Sequence, residues 1–331
     1  FRSLGDLEAR AGAARKAVEE AVANVASRAG EFEERVRGQV DLVTSNLDAR
    51  VAQAARVVAA EAAREAVLRI VPREVVVRVA DAPPVSVGLA HRQLDPLLRM
   101  VAAGVQVWLC GPAGSGKTTA AAQVARALGL RFLFNGAVDS EYKLSGFVDA
   151  GGRVVSTAFR EAYKGGGVYL FDEVDASMPS AVLAFNAALA NGHADFPGEP
   201  APVARHPDFR CLAAANTWGH GATTEYVGRN KMDAAFLDRF VQLSWDYDED
   251  LERALAEASG APEAAEWCEL VQRLRAAARR RGLKVVVSPR ATVHGCRLLL
   301  AGMTRDEVLE ATVLAKLGAQ DRDNLKKEAG L

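Results

Sequence analysis

The chain of 331 residues is long enough for about two domains, and half of its residues are hydrophobic while a quarter are charged, a balance that excludes wholesale disorder. Lys and Arg number 41 against 42 Asp and Glu, so no net field draws the whole molecule to nucleic acid or anionic lipid, and only a local basic patch stays open. Cys110, Cys211, Cys268 and Cys296 lie far apart without CxxC pairs, which argues against a zinc site or a secreted disulfide scaffold and for the reducing cytoplasm. No window approaches a membrane span, and no basic stretch followed by an apolar core opens the chain, so no signal peptide is expected. The start at Phe1 rather than Met leaves room for residues upstream.

Residues 1–71 contain no proline and are crowded with Ala, Val, Glu and Arg, a composition suited to helix. Apolar residues recur from Leu7 through Val18, Phe32 and Val43 to Val58 in 14 steps over 51 residues. The mean step of about 3.64 is that of a straight helix whose supercoil is weak or slightly right-handed. Gly12, Gly30 and Gly38 each weaken such a helix by about 1 kcal/mol, and Thr44-Ser45-Asn46 followed by Asp48 offers a capped restart. A single amphipathic rod, reaching nearly 100 Å at about 1.5 Å per residue, and a helical hairpin therefore both stay open. The 11 basic and 11 acidic residues of this segment read as a solvated face, and the apolar stripe needs a partner surface in its own domain, in sister subunits or in a client.

From residue 72 the texture changes. Short apolar runs at Val75–Val77, Val105–Cys110, Arg131–Phe134, Val168–Phe171 and Phe209–Ala215 alternate with helical patterns, which argues an α/β domain over 72–245 with a parallel sheet between helices. Beyond Trp245 the patterns Asp248–Ser259, Ala264–Arg281 and those after Pro289 and Thr304 are helical, giving a smaller module over 246–331.

The run Gly111-Pro112-Ala113-Gly114-Ser115-Gly116-Lys117-Thr118-Thr119 fits G-x-x-x-x-G-K-[ST] between an apolar strand and a helix. Its glycines let backbone N–H groups converge on a β-phosphate at a helix N-terminus, Lys117 reaches the β/γ oxygens, and the Thr118 hydroxyl ligates Mg²⁺; the bland alternative is a glycine-rich turn. Val168–Phe171 is followed by Asp172, 55 residues after Lys117, and Glu173, where strand ends face a ligand crevice. Asp172 would hold the metal and Glu173 would polarise the attacking water, because one carboxylate cannot easily serve both tasks. The third run ends in Asn216, an amide able to orient that water or the γ-phosphate, or else a residue shaping the turn that follows.

From about Val75 to Leu317 the chain resembles an AAA+ ATPase, specifically the MoxR and dynein-related (AAA_5-like) branch, with an added N-terminal helical segment. The resemblance implies an αβα P-loop domain with Walker A and Walker B motifs and a helical lid, a homo-oligomeric ring, a hexamer, with active sites between subunits, and ATP with Mg²⁺ as cofactors. It carries sensor 1 onto Asn216 and the arginine finger onto Arg239 in the segment Tyr226–Phe240, with Arg229 as a second candidate and a subunit-interface salt bridge as the plain reading of either. Ser288-Pro289-Arg290 resembles sensor 2, and an arginine at a helix start is unfavourable without an anion nearby. Two inserts, 146–155 and 194–205, read as hairpins like those of this branch, with Phe147 and Phe196 as candidates for contact with what is remodelled or for ordinary packing.

The function implied is remodelling or activation of a protein partner, often one carrying a von Willebrand factor A-like domain. A nucleic-acid motor or a GTP-dependent restriction-type motor is the alternative, which the mixed charges of the hairpins disfavour; base recognition lies outside the motifs, so these leave ATP and GTP both open. A coiled-coil scaffold with a degenerate nucleotide domain is disfavoured by intact Lys117, Asp172, Glu173, Asn216 and Arg239. The five histidines show no metal-ligand spacing, and Arg279-Arg280-Arg281 suits the negative end of its helix better than a nucleic-acid patch.

Overall fold

The computed structural model describes residues 74–77 and 85–331, with thirteen positions between 12 and 38. The chain divides into two units, residues 1–71 and 72–331. In the first, all thirteen described positions are helical and exposed, Val22 among them. The rest of the apolar stripe between Leu7 and Val58, and the restart at Thr44, lie outside the described residues.

The second unit begins with β1 (Glu74–Val77), antiparallel to β2 (Val85–Leu89) in a sheet of its own. After α1 (Leu94–Ala102) come β3 (Val107–Cys110), α2 (Lys117–Ala127) and β4 (Phe132–Asn135). A first hairpin of β5 (Phe147–Val148) and β6 (Val154–Val155) leads to α3 (Ala158–Gly165) and β7 (Gly167–Phe171). Next follow α4 (Pro179–Asn191), a second hairpin of β8 (His193–Ala194) and β9 (Val203–Ala204), β10 (Phe209–Ala215) and β11 (Val241–Ser244). A helical module of α5 (Glu249–Glu257), α6 (Ala264–Arg281), α7 (Pro289–Leu300), α8 (Arg305–Thr312) and α9 (Ala319–Ala329) ends the chain. Among the described residues no helix is long and apolar enough to cross a membrane.

Five strands form one parallel sheet in the order β11-β3-β10-β7-β4. The three middle strands are covered on both faces, which is why they read as unbroken apolar runs. Their side chains alternate between two cores. Trp108, Tyr169, Phe171 and Cys211 meet Phe159, Phe185 and Phe236 on one face, and Val107, Leu109, Leu170 and Leu212 meet Leu97 and Val124 on the other. A third core around Trp267, Leu274 and Val308 belongs to the helical module.

The β-run at 75–77 does not join the main sheet; β11 takes the fifth place. As an edge strand β11 buries only Leu243 of its four residues, so its sequence carries no apolar run. The two inserts do form hairpins. Phe147 is 43 % exposed, whereas Phe196 is 4 % exposed and packs in the aromatic core, which removes it from the candidates for partner contact. Arg280 and Arg281 pair with Glu328, and Arg279 with Asp246.

Candidate functional site

Strand register brings the site together. Cys110 lies level with Ala215 and Ser244, and Phe171 with Asn135 and Ala213, so Gly111, Asp172, Asn216 and Trp245 leave the sheet at one edge, where parallel α/β sheets bind ligands. Gly111 has no room for a side chain: a Cβ there would sit 1.9 Å from the Trp245 carbonyl oxygen. Gly114 (φ +79°) and Gly116 (φ +90°) hold left-handed conformations that side chains disfavour, and Gly116 caps the N-terminus of α2. The loop and that helix end, with its partial positive charge, open on a cavity of about 320 Å³ lined by residues 113–119, Asp172, Glu173, Asn216 and Arg290. A second, more apolar cavity of about 290 Å³ shares Gly114, Ser115, Thr119 and Arg290 with it and extends to Leu89, His91, Leu255 and Val293.

Within the first cavity the Thr118 hydroxyl donates to Asp172 Oδ2 at 2.8 Å, and Asp172 Oδ1 accepts from the Glu173 N–H at 2.9 Å. Lys117 Nζ is folded back onto the Gly111 and Pro112 carbonyls (2.7 and 3.1 Å) and onto Asn216 Oδ1 (3.1 Å). Burial pushes its pKa down to about 8, partly opposed by the Asp172 charge. The Ser115 hydroxyl is buried and has no hydrogen-bond partner among the described residues, so it is free for a ligand. Arg290 enters from the helical module: its Cγ, and the hydroxyl of Ser288, are the atoms a Cβ on Gly114 would meet. In the second cavity His91 stacks on Trp245, accepts the Gln93 N–H at Nδ1 and so donates from Nε2 to the Asp246 carbonyl; burial lowers its pKa.

Lys117, Thr118, Thr119, Asp172, Glu173, Asn216 and Arg290 thus converge, with Ala113, Gly114, Ser115 and Gly116 around them, while Gly111 and Pro112 sit behind the loop. Arg239 does not join them. It is exposed, and its Nε donates to Asn186. Three further contacts are not evident from the motifs. Ala113 is clamped by two tyrosines, its N–H donating to Tyr226 and its carbonyl accepting from Tyr247, each at 2.9 Å. Asp175 is wholly buried just past Asp172 and Glu173 and binds Thr217 and Arg229. Arg229 also approaches Glu173. The sequence signal for Asp175 is its place two residues after Glu173, but nothing in the sequence tells a buried acid from a solvated one.

Residues 106–240 match the family model of the AAA domain (dynein-related subfamily). No curated protein matches the chain. Among solved structures, NtrX from Brucella abortus is 16% identical, with a TM-score of 0.50, over 84% of this chain and 67% of that one. The same protein in complex with ADP is 15% identical, with a TM-score of 0.45, over 84% and 66%. A mutant of RuvB from Thermotoga maritima is 17% identical, with a TM-score of 0.43, over 66% and 67%. At these identities the likeness to the first of them is one of fold.

Proposed function

We propose that the chain, whose residues 106–240 match an AAA domain of the dynein-related subfamily, is a magnesium-dependent, ATP-hydrolysing motor that works on a protein partner from within a hexameric ring. The observation that carries this reading is the meeting of Thr118 with Asp172 at 2.8 Å, beside Lys117, Asn216 and an unpaired Ser115 hydroxyl. Thr118 and Asp172 are hard oxygen donors, the set that magnesium prefers. Bound there, the ion would neutralise charge on the β- and γ-phosphate oxygens.

The chain's own groups divide the remaining work. Loop amides 114–118 and the Ser115 hydroxyl hold the phosphates, and the more apolar second cavity accepts the base. Lys117 exchanges its two backbone carbonyls and Asn216 for phosphate oxygens, which leaves Asn216 free to orient the attacking water. Glu173, half exposed at the cavity mouth, accepts the proton of that water. Arg290 closes on the γ-phosphate from the helical module, so turnover changes the angle between that module and the sheet. Arg239, exposed and outside the lining of its own cavity, serves the neighbouring subunit's transition state. Phe147, Val148, Val154 and Val155 of the first hairpin are all exposed and support a protein client, in the MoxR-like manner one with a von Willebrand factor A-like domain.

The test separates cradle from base. Lys117→Ala is expected to lose nucleotide binding in calorimetry, whereas Glu173→Gln retains it and turns over slower by at least about two to three decades. Equal affinity in wild type and Lys117→Ala overturns the assignment.

A further inference from the structure

We infer that Arg229 is a positioning residue for Glu173 of its own chain: held by buried Asp175, its guanidinium sets where the Glu173 carboxylate rests. The inference builds on the reading of Glu173 as the group that polarises water. Asp175 is completely buried. Its Oδ2 accepts from the Thr217 N–H at 3.1 Å and hydroxyl at 2.9 Å, and its Oδ1 accepts from Arg229 Nη1 at 3.1 Å. The residue after Arg229 is stitched to the same turn: the Asn230 N–H donates to the Asp175 carbonyl at 2.6 Å and its side-chain amide to the Ser177 carbonyl at 2.8 Å. Drawing Arg229 outward to another subunit would strand a buried carboxylate without its cation, the costliest arrangement for such a pair.

The second guanidinium nitrogen, Nη2, lies 3.6 Å from Glu173 Oε1. That is an ion pair beyond hydrogen-bond length, so it steers the carboxylate without capturing it. The Arg229 side chain is 12 % exposed and that of Glu173 52 %, which makes the arginine the fixed partner and the glutamate the movable one. Glu173 also holds a left-handed backbone (φ 52°), a strained state for a residue with a side chain, kept by the Asp172 carboxylate on its N–H. Only a planar fork spans two acids at once; an ammonium is a single point charge. Thr217 directly follows Asn216, so the cluster ties the turn that aims Glu173 to the strand end that carries Asn216. Arg239 has no comparable anchor among the described residues, its side chain resting on Asn186.

Arg229→Lys keeps a cation on Asp175 and is the variant expected to fold, with an unchanged melting temperature. It is expected to bind a non-hydrolysable ATP analogue within about threefold of wild type while kcat falls at least tenfold, since a well-placed base contributes about a hundredfold or more. Mixing separates action within the chain from action across the interface, and the unchanged melting temperature and analogue affinity of Arg229→Lys set a structural defect apart. Subunit exchange is first shown with a label, and then Arg229→Lys and Glu173→Gln proteins are combined. If Arg229 acts in its own chain, no mixed interface regains activity, and if it acts across the interface, some do. The parallel mixture of Arg239→Ala with Glu173→Gln is expected to regain activity, and its failure counts against the shared-site reading, leaving the Arg229 comparison to stand on kcat. Recovery in the Arg229 mixture, or an unaltered kcat in Arg229→Lys, overturns the inference.

Discussion

The ammonium of Lys117 rests on two loop carbonyls and Asn216, and burial holds its pKa at about 8. A polyphosphate would surround it with negative charge and raise that value, so nucleotide binds the protonated form. The sign follows by linkage. Below pH 8 the lysine is already charged and binding takes up little, whereas above pH 8 the free protein has lost the proton and must regain it. Binding of a non-hydrolysable ATP analogue at pH 9 is therefore expected to take up close to one proton, and affinity is expected to fall by up to about tenfold per pH unit above 8. Calorimetry in two buffers of different ionisation enthalpy measures the uptake. Phosphate oxygens titrate near pH 6 and stay clear of this window. Lys117→Arg, charged throughout, is expected to abolish the uptake, and zero uptake by the wild type at pH 9 counts against the burial account.

At the scale of elements, the helical module is tied to the phosphate loop by a buried polar chain. Arg275 of α6 donates to both Glu252 oxygens of α5 at 2.8 and 2.7 Å and to the Val287 carbonyl at 2.7 Å, and Thr292 of α7 donates to Glu252. The same guanidinium lies 4.6 Å from the centroid of the Tyr247 ring, whose hydroxyl holds Ala113. Arg275→Met leaves the Glu252 charge buried and unpaired and is expected to cost about 3–5 kcal/mol in chemical denaturation. Adding Glu252→Leu is expected to recover most of that, because an apolar pair of similar volume is nearly neutral; a double variant no more stable than the single one refutes the account. This chain also marks the limit of what the sequence discloses. Strands β3, β7 and β10 were legible as apolar runs because both their faces are buried, and α6 because its pattern stops at Gly282, which is left-handed (φ 61°). The P-loop and Asp172-Glu173 were legible because each lies within one segment at fixed spacing. Edge strand β11, with one buried residue in four, was not. Nor were the Asp175, Thr217 and Arg229 cluster or the Tyr247 and Arg275 stack, since each joins side chains from distant segments whose separations carry no pattern.

For the molecule as a whole, the three apolar cores of the second unit run from Val87 to Ala329. The two cavities at the glycine-rich loop are lined by residues of the same unit. The apolar stripe of residues 1–71 is mostly Ala and Val, a shallow surface suited to close contact between helices rather than to a deep core. We propose that its place is in assembly or in client recognition. Removing residues 1–71 is expected to leave a protein that melts in one cooperative transition and binds an ATP analogue with the affinity of the full chain, while its oligomers, followed by sedimentation, weaken or its client no longer co-purifies with the Glu173→Gln form. A truncated protein that loses its cooperative transition and exposes sites for a hydrophobic dye would instead place the stripe in the core of the ATPase. Intact folding with unchanged assembly and unchanged client capture would leave the stripe without the role assigned to it.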